Sequence, residues 1–306
     1  SYFILVAGRI ISGIGALTIS IIAPRTLSHW FEKDDLGIAM GIFNTAMPLA
    51  TILTLNTFGR LAVLKGWRFP ILLTSFYCLL VLIMFYFKYP TSPVEKKQQE
   101  KPNFKESLHG IRKTGLPIWL VAAIWMMYNA SAISYLTFGG DYYVSVGYSA
   151  SYAGFLTSLL MIGSLFLSTF VGYFIDKVGN EEYFIAVGSV ALAFLLFLVP
   201  RSGINPFLLG ILIGIAAPFI PAPVFSLVPK LLPPKQRGLG YGILSTCLNF
   251  GVLIGPLLVG LFYDLTQSYL YGFNLMAVFA LSTAVIAIFL SYTCKSVQKD
   301  KNESVL

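Results

Sequence analysis

One ionisable side chain stands inside a long apolar stretch of this chain. It is Arg9, in a run from residue 1 to 24 that otherwise lacks Asp, Glu, Lys and Arg. A guanidinium keeps its proton, so its chemistry is anion recognition or charge coupling rather than proton transfer. In a bilayer such a charge costs several kcal/mol, so it faces a wet cavity or a partner, or it lies near one surface and reaches out to water. Uncharged polar and aromatic groups cluster elsewhere. They are Asn44, Thr45, Thr51, Thr54 and Asn56; Trp125, Tyr128, Asn129, Ser131, Ser134 and Tyr135; and Asn249. Buried amides among apolar helices either bridge helices or touch a solute.

Bond-making chemistry finds no footing. The two histidines, His29 and His109, fall in loop or interface regions, and the cysteines Cys78, Cys247 and Cys294 have unrelated spacings. No zinc, thioredoxin or phosphate-loop pattern occurs. The expectation is a protein that is not an enzyme, with no metal and no cofactor.

The elements that must position these residues follow from composition. The chain has 306 residues, 57% hydrophobic and only 11% charged, with mean hydropathy +0.78. One or two soluble cores could not hide so much apolar surface. Disorder, a coiled coil and a disulfide scaffold are excluded by the same balance. Stretches free of Asp, Glu, Lys and Arg run over 36–59, 69–87, 114–140, 142–175, 183–200, 202–229, 238–263 and 265–294. With 1–24 they make nine spans, each long enough to cross a hydrocarbon core of about 30 Å. The short alternating segments of a membrane barrel are missing, and backbone polar groups in lipid must be satisfied within each span, so the spans are helices. The fold expected is an all-α polytopic membrane protein.

The net charge of +8 does not point to nucleic acid, because the basic residues sit in short loops. With nine alternating crossings, the loops 25–35, 88–113, 176–182, 230–237 and 295–306 hold 16 basic residues, and the opposite set (60–68, Asp141, Arg201, Asp264) holds 4. The first set, with the C-terminus, is expected on the cytoplasmic side. The domain reading is 1–87, a central linker at 88–113, 114–294, and a tail at 295–306. In the linker, Asn103 and Glu106 could cap a short interfacial helix with Phe104, Leu108 and Ile111 on one face; a solvated charged linker is the other reading.

The chain also repeats. Shifted by 201 residues, 35–45 lies on 236–246, Gly13-Ile14 on Gly214-Ile215, and Gly59 on Gly260. Parallel repeats of this kind build rocker-type secondary transporters. The repeat makes 1–24 the fourth helix of its half. Ser1 is not Met and no basic region precedes the first apolar run, so the chain reads as cut at its N-terminus, with three helices (about 90–100 residues) wanting.

Three patches carry a family resemblance. Gly172-Tyr-Phe-Ile-Asp176-Lys177-Val-Gly179 resembles the G-x-x-x-D-R/K-x-G loop motif of the major facilitator superfamily. It departs after Gly179, where Asn180 and Glu181 replace basic residues. Arg9-Ile-Ile-Ser-Gly13-Ile-Gly15-Ala16 is similar to the R-x-x-x-G-x-G-A pattern of the family's fourth helix. Pro234-Lys-Gln-Arg237-Gly238 resembles the basic turn before the eleventh, although the first-half counterpart has Leu36 in place of the arginine. The resemblance implies helices four to twelve of a pseudo-symmetric bundle, an Arg9 turned to a central cavity, and a joint at Gly172 and Asp176 that holds the outward-facing state. Independently of the family, Gly172 and Asp176 are one turn apart, and a small residue there would admit a neighbouring helix closely.

Gly251-Val-Leu-Ile-Gly255-Pro256 spaces small residues at four beside a proline, which permits tight helix contact and a bend. A similar pattern in the family's fifth helix marks antiporters; here it falls in the eleventh. Pro218, Pro221 and Pro223 break another span, either as a gate or as a packing kink. The expected function is secondary transport by alternating access of a small organic or inorganic anion, since no acid accompanies Arg9. The alternative is proton-coupled export of hydrophobic or cationic compounds. Expected partners are the lipid bilayer, a small solute and a coupling ion (H+ or Na+), for a monomer in the plasma membrane.

Overall fold

The computed structural model describes residues 2–30, 33–88, 114–233 and 236–303. Ten α-helices carry them: α1 (Tyr2–Trp30), α2 (Lys33–Lys65), α3 (Arg68–Lys88), α4 (Gly115–Ser145), α5 (Ala150–Val178), α6 (Glu181–Leu198), α7 (Pro206–Ala216), α8 (Pro221–Leu231), α9 (Arg237–Thr266) and α10 (Tyr269–Glu303). A 3₁₀ turn, Ala217–Phe219, joins α7 to α8, and no strand occurs among the described residues. Among them, 8 helices are long and apolar enough to cross a membrane, with Pro206–Leu231 one interrupted span; Tyr2–Ala16 is a shorter apolar helix. The fold is all-α and polytopic. The possible interfacial helix at 103–111 lies outside the described residues.

Three connections fall later than the charges suggested. Arg60, Asp141 and Asp264 belong to helices, and the chain turns only after Lys65, Ser145 and Thr266. An exposed charge near a helix end solvates itself at the membrane surface and breaks nothing. What stops these helices is left-handed backbone just beyond: Gly66 (φ 83°), Gly147 (φ 99°) and Gln267 (φ 51°). Asp141 and Asp264 are therefore helical residues, exposed near the ends of α4 and α9.

The chain forms two compact units: residues 1–50 with 67–101, and 51–66 with 102–306. The first contains α1, the start of α2, and α3. Its apolar side chains, such as Phe3, Ile11, Leu72 and Phe85, are exposed, as helices solvated by lipid allow.

The second unit has a core. Helix α4 packs against α9, α10, α5 and α8, while α10 also covers α6 and α5 covers α7. Ile118, Ile124, Leu156, Leu192, Ile213 and Phe273 are buried at its centre. With apolar residues on all sides, hydrophobicity cannot decide which faces meet; small residues decide it. A β-carbon on Gly251 would collide with the Met126 carbonyl, and one on Gly255 would come within 2.6 Å of Ala130 Cα. One on Gly214 would come within 2.5 Å of the Leu159 carbonyl oxygen, so α5 and α7 touch backbone to backbone.

Candidate functional site

The second unit gathers several of the expected residues on one turn of α4. Trp125, Tyr128 and Asn129 are all buried, at 8%, 5% and 7% exposure. The Trp125 and Tyr128 rings stack at 5.5 Å and 19°, and the Phe225 ring of α8 meets Trp125 edge-on at 5.2 Å and 71°. Asn129 Nδ2 donates to the Trp125 carbonyl at 2.7 Å, which fixes its amide along the same helix. Gly251 and Gly255 of α9 press on this turn from behind at Met126 and Ala130. The small-residue pattern of α9 thus positions the aromatic turn. Pro256 lies inside α9 and is half-buried. Tyr135, two turns further, is fully buried with its ring 6.3 Å from Phe273. Ser131 Oγ crosses to the Met276 carbonyl of α10 at 2.8 Å, so that hydroxyl is a helix bridge.

A second constellation sits on the last turns of α2. Asn56 Nδ2 donates to Ser158 Oγ of α5 at 2.9 Å and to its own Ile52 carbonyl at 2.8 Å. Beside it, a β-carbon on Gly154 would collide with the Leu55 carbonyl, and one on Gly59 would lie 3.4 Å from the Ala150 carbonyl oxygen. Thr51 is half-buried on the same stretch. This seam joins two helices through backbone contact and the Asn56–Ser158 bond.

Other expected residues lie elsewhere. Arg9 is exposed on α1, in the first unit, and β-carbons on Gly13 and Gly15 would meet nothing within 4 Å. The side chains of Asn44 and Asp176 lie outside the described ones. Asn249 is exposed and turns its amide back to Ser245 O of its own helix at 2.8 Å. Pro218 is buried in the 3₁₀ turn that interrupts the span, and Pro221 opens α8, where its missing N–H costs nothing. Gly188 of α6 fits against that break: a β-carbon there would collide with Phe219 Cβ.

The motif loop departs from expectation at one point. Among the described residues, a β-carbon on Gly172 would meet nothing within 4 Å. The end of α5 stands clear of its neighbours, with Tyr173, Phe174 and Val178 exposed. Lys177 is exposed and sits 4.5 Å over the Tyr173 ring. Gly179 (φ 68°) closes α5 by donating its N–H to Ile175 O at 2.8 Å, and Asn180 (φ 59°) continues the left-handed turn. Asparagine tolerates that conformation better than a basic residue would, which explains the departure after Gly179. Glu181 then starts α6 buried, at 5% exposure, and pairs with Lys230 near the end of α8. Arg237 Nη2 donates to the Pro229 carbonyl at 3.3 Å, completing that helix end. The chain order marks Glu181 only as a departure from the loop motif and does not mark Ser158 at all. The signal for the first was an acid at a helix N-terminus; for the second there was none.

A profile of the Major Facilitator Superfamily matches residues 1–200 and 126–305. Similar proteins include the lysosomal dipeptide transporter MFSD1 of Homo sapiens, 20% identical over 97% of this chain and 67% of that protein. An uncharacterized MFS-type transporter of Methanocaldococcus jannaschii is 26% identical, over 91% of this chain and 72% of its own. A nitrite extrusion protein of Bacillus subtilis is 22% identical, over 95% and 72%. The chain spans 64–67% of the length of the dipeptide-transporter relatives. The chain belongs to the major facilitator superfamily.

Proposed function

We propose that this member of the superfamily serves secondary transport by alternating access, and that its solute is a small organic or inorganic anion. The observation that carries the access mechanism is the seam of α2 on α5. Helix α2 gives its first part to one compact unit and its last part to the other. That last part meets α5 through glycine backbone and the Asn56–Ser158 bond. A contact made of backbone and one neutral hydrogen bond is weak enough to open and close in a transport cycle, since such bonds in membranes average about 0.6 kcal/mol.

Arg9 supports the anion. It is the one charge within the apolar run 1–24, and a guanidinium matches carboxylates and oxyanions. The names of two relatives, for dipeptide and for nitrite, both describe solutes that carry an anionic group. Segments 1–87 and 114–294 are read as parts of two lobes with 88–113 between them, and the solute binds where they rock. A monomer, an H+ or Na+ coupling ion, and a plasma-membrane setting with a cytoplasmic C-terminus complete the proposal.

The test is uptake in proteoliposomes, with nitrite, small carboxylates and organic cations offered with and without a pH gradient. Anion uptake that Arg9→Ala abolishes supports the reading. Cation uptake alone overturns its anion half, and anion uptake indifferent to Arg9→Ala removes Arg9 from it.

A further inference from the structure

We infer that a cleft at one end of the second unit, walled by Tyr148 and Tyr152 on one side and by the 202–206 loop on the other, binds a neutral sugar ring. The site is separate from the transport reading and needs no residue of the first unit.

The cleft measures about 440 Å³ and is lined by Tyr148, Tyr152 and residues 202–206. Small-molecule sites run from about 300 to 1,000 Å³. It lies where α5 and α7 begin, at the opposite end of α5 from the Gly179 turn. In the orientation proposed above, that end faces away from the cytoplasm.

Both walls are held in place by the chain itself. Gly147 (φ 99°) turns the backbone, and Tyr148 donates its N–H to the Tyr143 carbonyl at 3.0 Å. Ser149 Oγ accepts from the Tyr152 N–H at 3.3 Å. Opposite, the Ser202 N–H donates to the Leu198 carbonyl at 2.8 Å, and Asn205 Oδ1 accepts from the Phe207 N–H at 2.9 Å. The Phe155 ring stacks on Tyr152 at 6.2 Å and on Phe207 at 6.0 Å, which ties the two walls together. A site fixed in advance loses little freedom on binding.

The lining selects the ligand. Tyr148 and Tyr152 are each 37% exposed, with rings 5.6 Å apart and tilted at 52°. Their π faces are negative, and the C–H groups of a sugar ring supply the complementary positive charge. Across from them, the Ser202 hydroxyl is shielded and has no hydrogen-bond partner among the described residues. The N–H groups of Gly203 and Ile204 donate to no carbonyl among those residues either. A partnerless hydroxyl beside free donors favours a ligand rich in hydroxyls.

Charge excludes an ionic ligand. No Asp, Glu, Lys, Arg or His is among the residues that line the cleft. Arg201, next to the loop, is engaged elsewhere. Its Nη1 donates to Phe197 O at 2.8 Å and its Nη2 to Asn274 Oδ1 at 2.6 Å, and it lies 3.7 Å over the Phe197 ring. Asp141 on α4, Asp264 on α9, and Arg60 and Lys65 on α2 belong to the same end of the unit and do not line the cleft. Two sources carry a neutral sugar ring, a dissolved saccharide and a glycolipid headgroup, and the test separates them.

The experiment measures binding to the protein in nanodiscs. Radiolabelled maltose is offered to discs without sugar lipid, and glucosyl diacylglycerol is incorporated in a second set. Saturable maltose binding supports the dissolved source; binding of the glucosyl lipid alone supports the headgroup. Tyr148→Leu and Tyr152→Leu should each weaken that binding about tenfold, whereas Tyr152→Phe keeps the ring and should stay within about twofold. Saturable binding of neither source overturns the inference, as does binding indifferent to both leucine variants. Tighter binding of maltobionate, the carboxylate derived from maltose, overturns it too. Should the leucine variants misfold, a second readout remains. Gly203 is exposed and a β-carbon on it would meet nothing within 4 Å. With Cys78, Cys247 and Cys294 replaced by serine, Gly203→Cys should react with a charged thiol reagent, and the bound sugar should slow that reaction. A rate unchanged by both maltose and the glucosyl lipid ends the inference.

Discussion

Gly154 lies against the backbone of Leu55 so closely that any β-carbon on it would collide with the Leu55 carbonyl oxygen. The two residues are brought together by the same seam in which Asn56 donates to Ser158 at 2.9 Å. The seam packs residues of α2 on α5 within the second unit, and it supplies the first prediction. Gly154→Leu should hold the seam open while leaving the core of α4, α9 and α10 intact. Transport should fall by more than about tenfold, and a cysteine placed at the half-buried Leu55 should become more reactive to a water-soluble thiol reagent. Unchanged reactivity would show that the seam does not move with residue 154.

The Asn56–Ser158 bond should contribute little on its own. In a double-mutant cycle of Asn56→Leu and Ser158→Ala, the coupling should be about 0.6 kcal/mol and not exceed about 1.7 kcal/mol. Thermal unfolding in detergent provides the readout. A coupling of several kcal/mol would make the seam a permanent joint and contradict alternating access.

The Lys230–Glu181 pair should respond asymmetrically, because Glu181 is buried and Lys230 is exposed. Lys230→Ala strands a buried carboxylate and should cost about 1–3 kcal/mol. Glu181→Gln frees an exposed ammonium that water solvates at once, and should cost less than about 1 kcal/mol. Equal losses on thermal unfolding would argue that the pair is solvated as a whole.

Gly255→Ile should destabilise the second unit by about 1–3 kcal/mol, since α9 would be driven off Ala130. The Trp125–Tyr128 turn beside it should loosen too, visible as a red shift in tryptophan emission. Gly179→Ala should cost about 1 kcal/mol for a different reason, its φ of 68°.

Much of the helix layout could be read from charge-free runs, because lipid leaves the backbone no alternative to the helix. The helix ends were harder. Asp141 and Asp264 looked like boundaries, yet left-handed residues at 147 and 267 end those helices, and a positive φ at Gln267 is not written in its side chain. Trp125, Tyr128 and Asn129 could be picked out as a polar and aromatic cluster on one turn. Phe225 could not, because it is an ordinary aromatic until the fold sets its ring edge-on to Trp125. Gly172 was expected to admit a neighbour because it is small, and among the described residues nothing lies within 4 Å of where its β-carbon would stand. Ser158 and Glu181 acquire meaning only through partners far away in sequence, Asn56 and Lys230.

Pro218 has no N–H to return to the carbonyl of Gly214, and that carbonyl lies against Gly163 on α5. The imino acid and the bare α-carbon are therefore halves of a single lock, cut on different helices. Repairing the first, as Pro218→Ala would, straightens a rod whose bend the second was shaped to receive. Filling the second, as Gly163→Ala would, leaves a lone oxygen with nowhere to rest. Neither position is free to drift unless the other drifts with it.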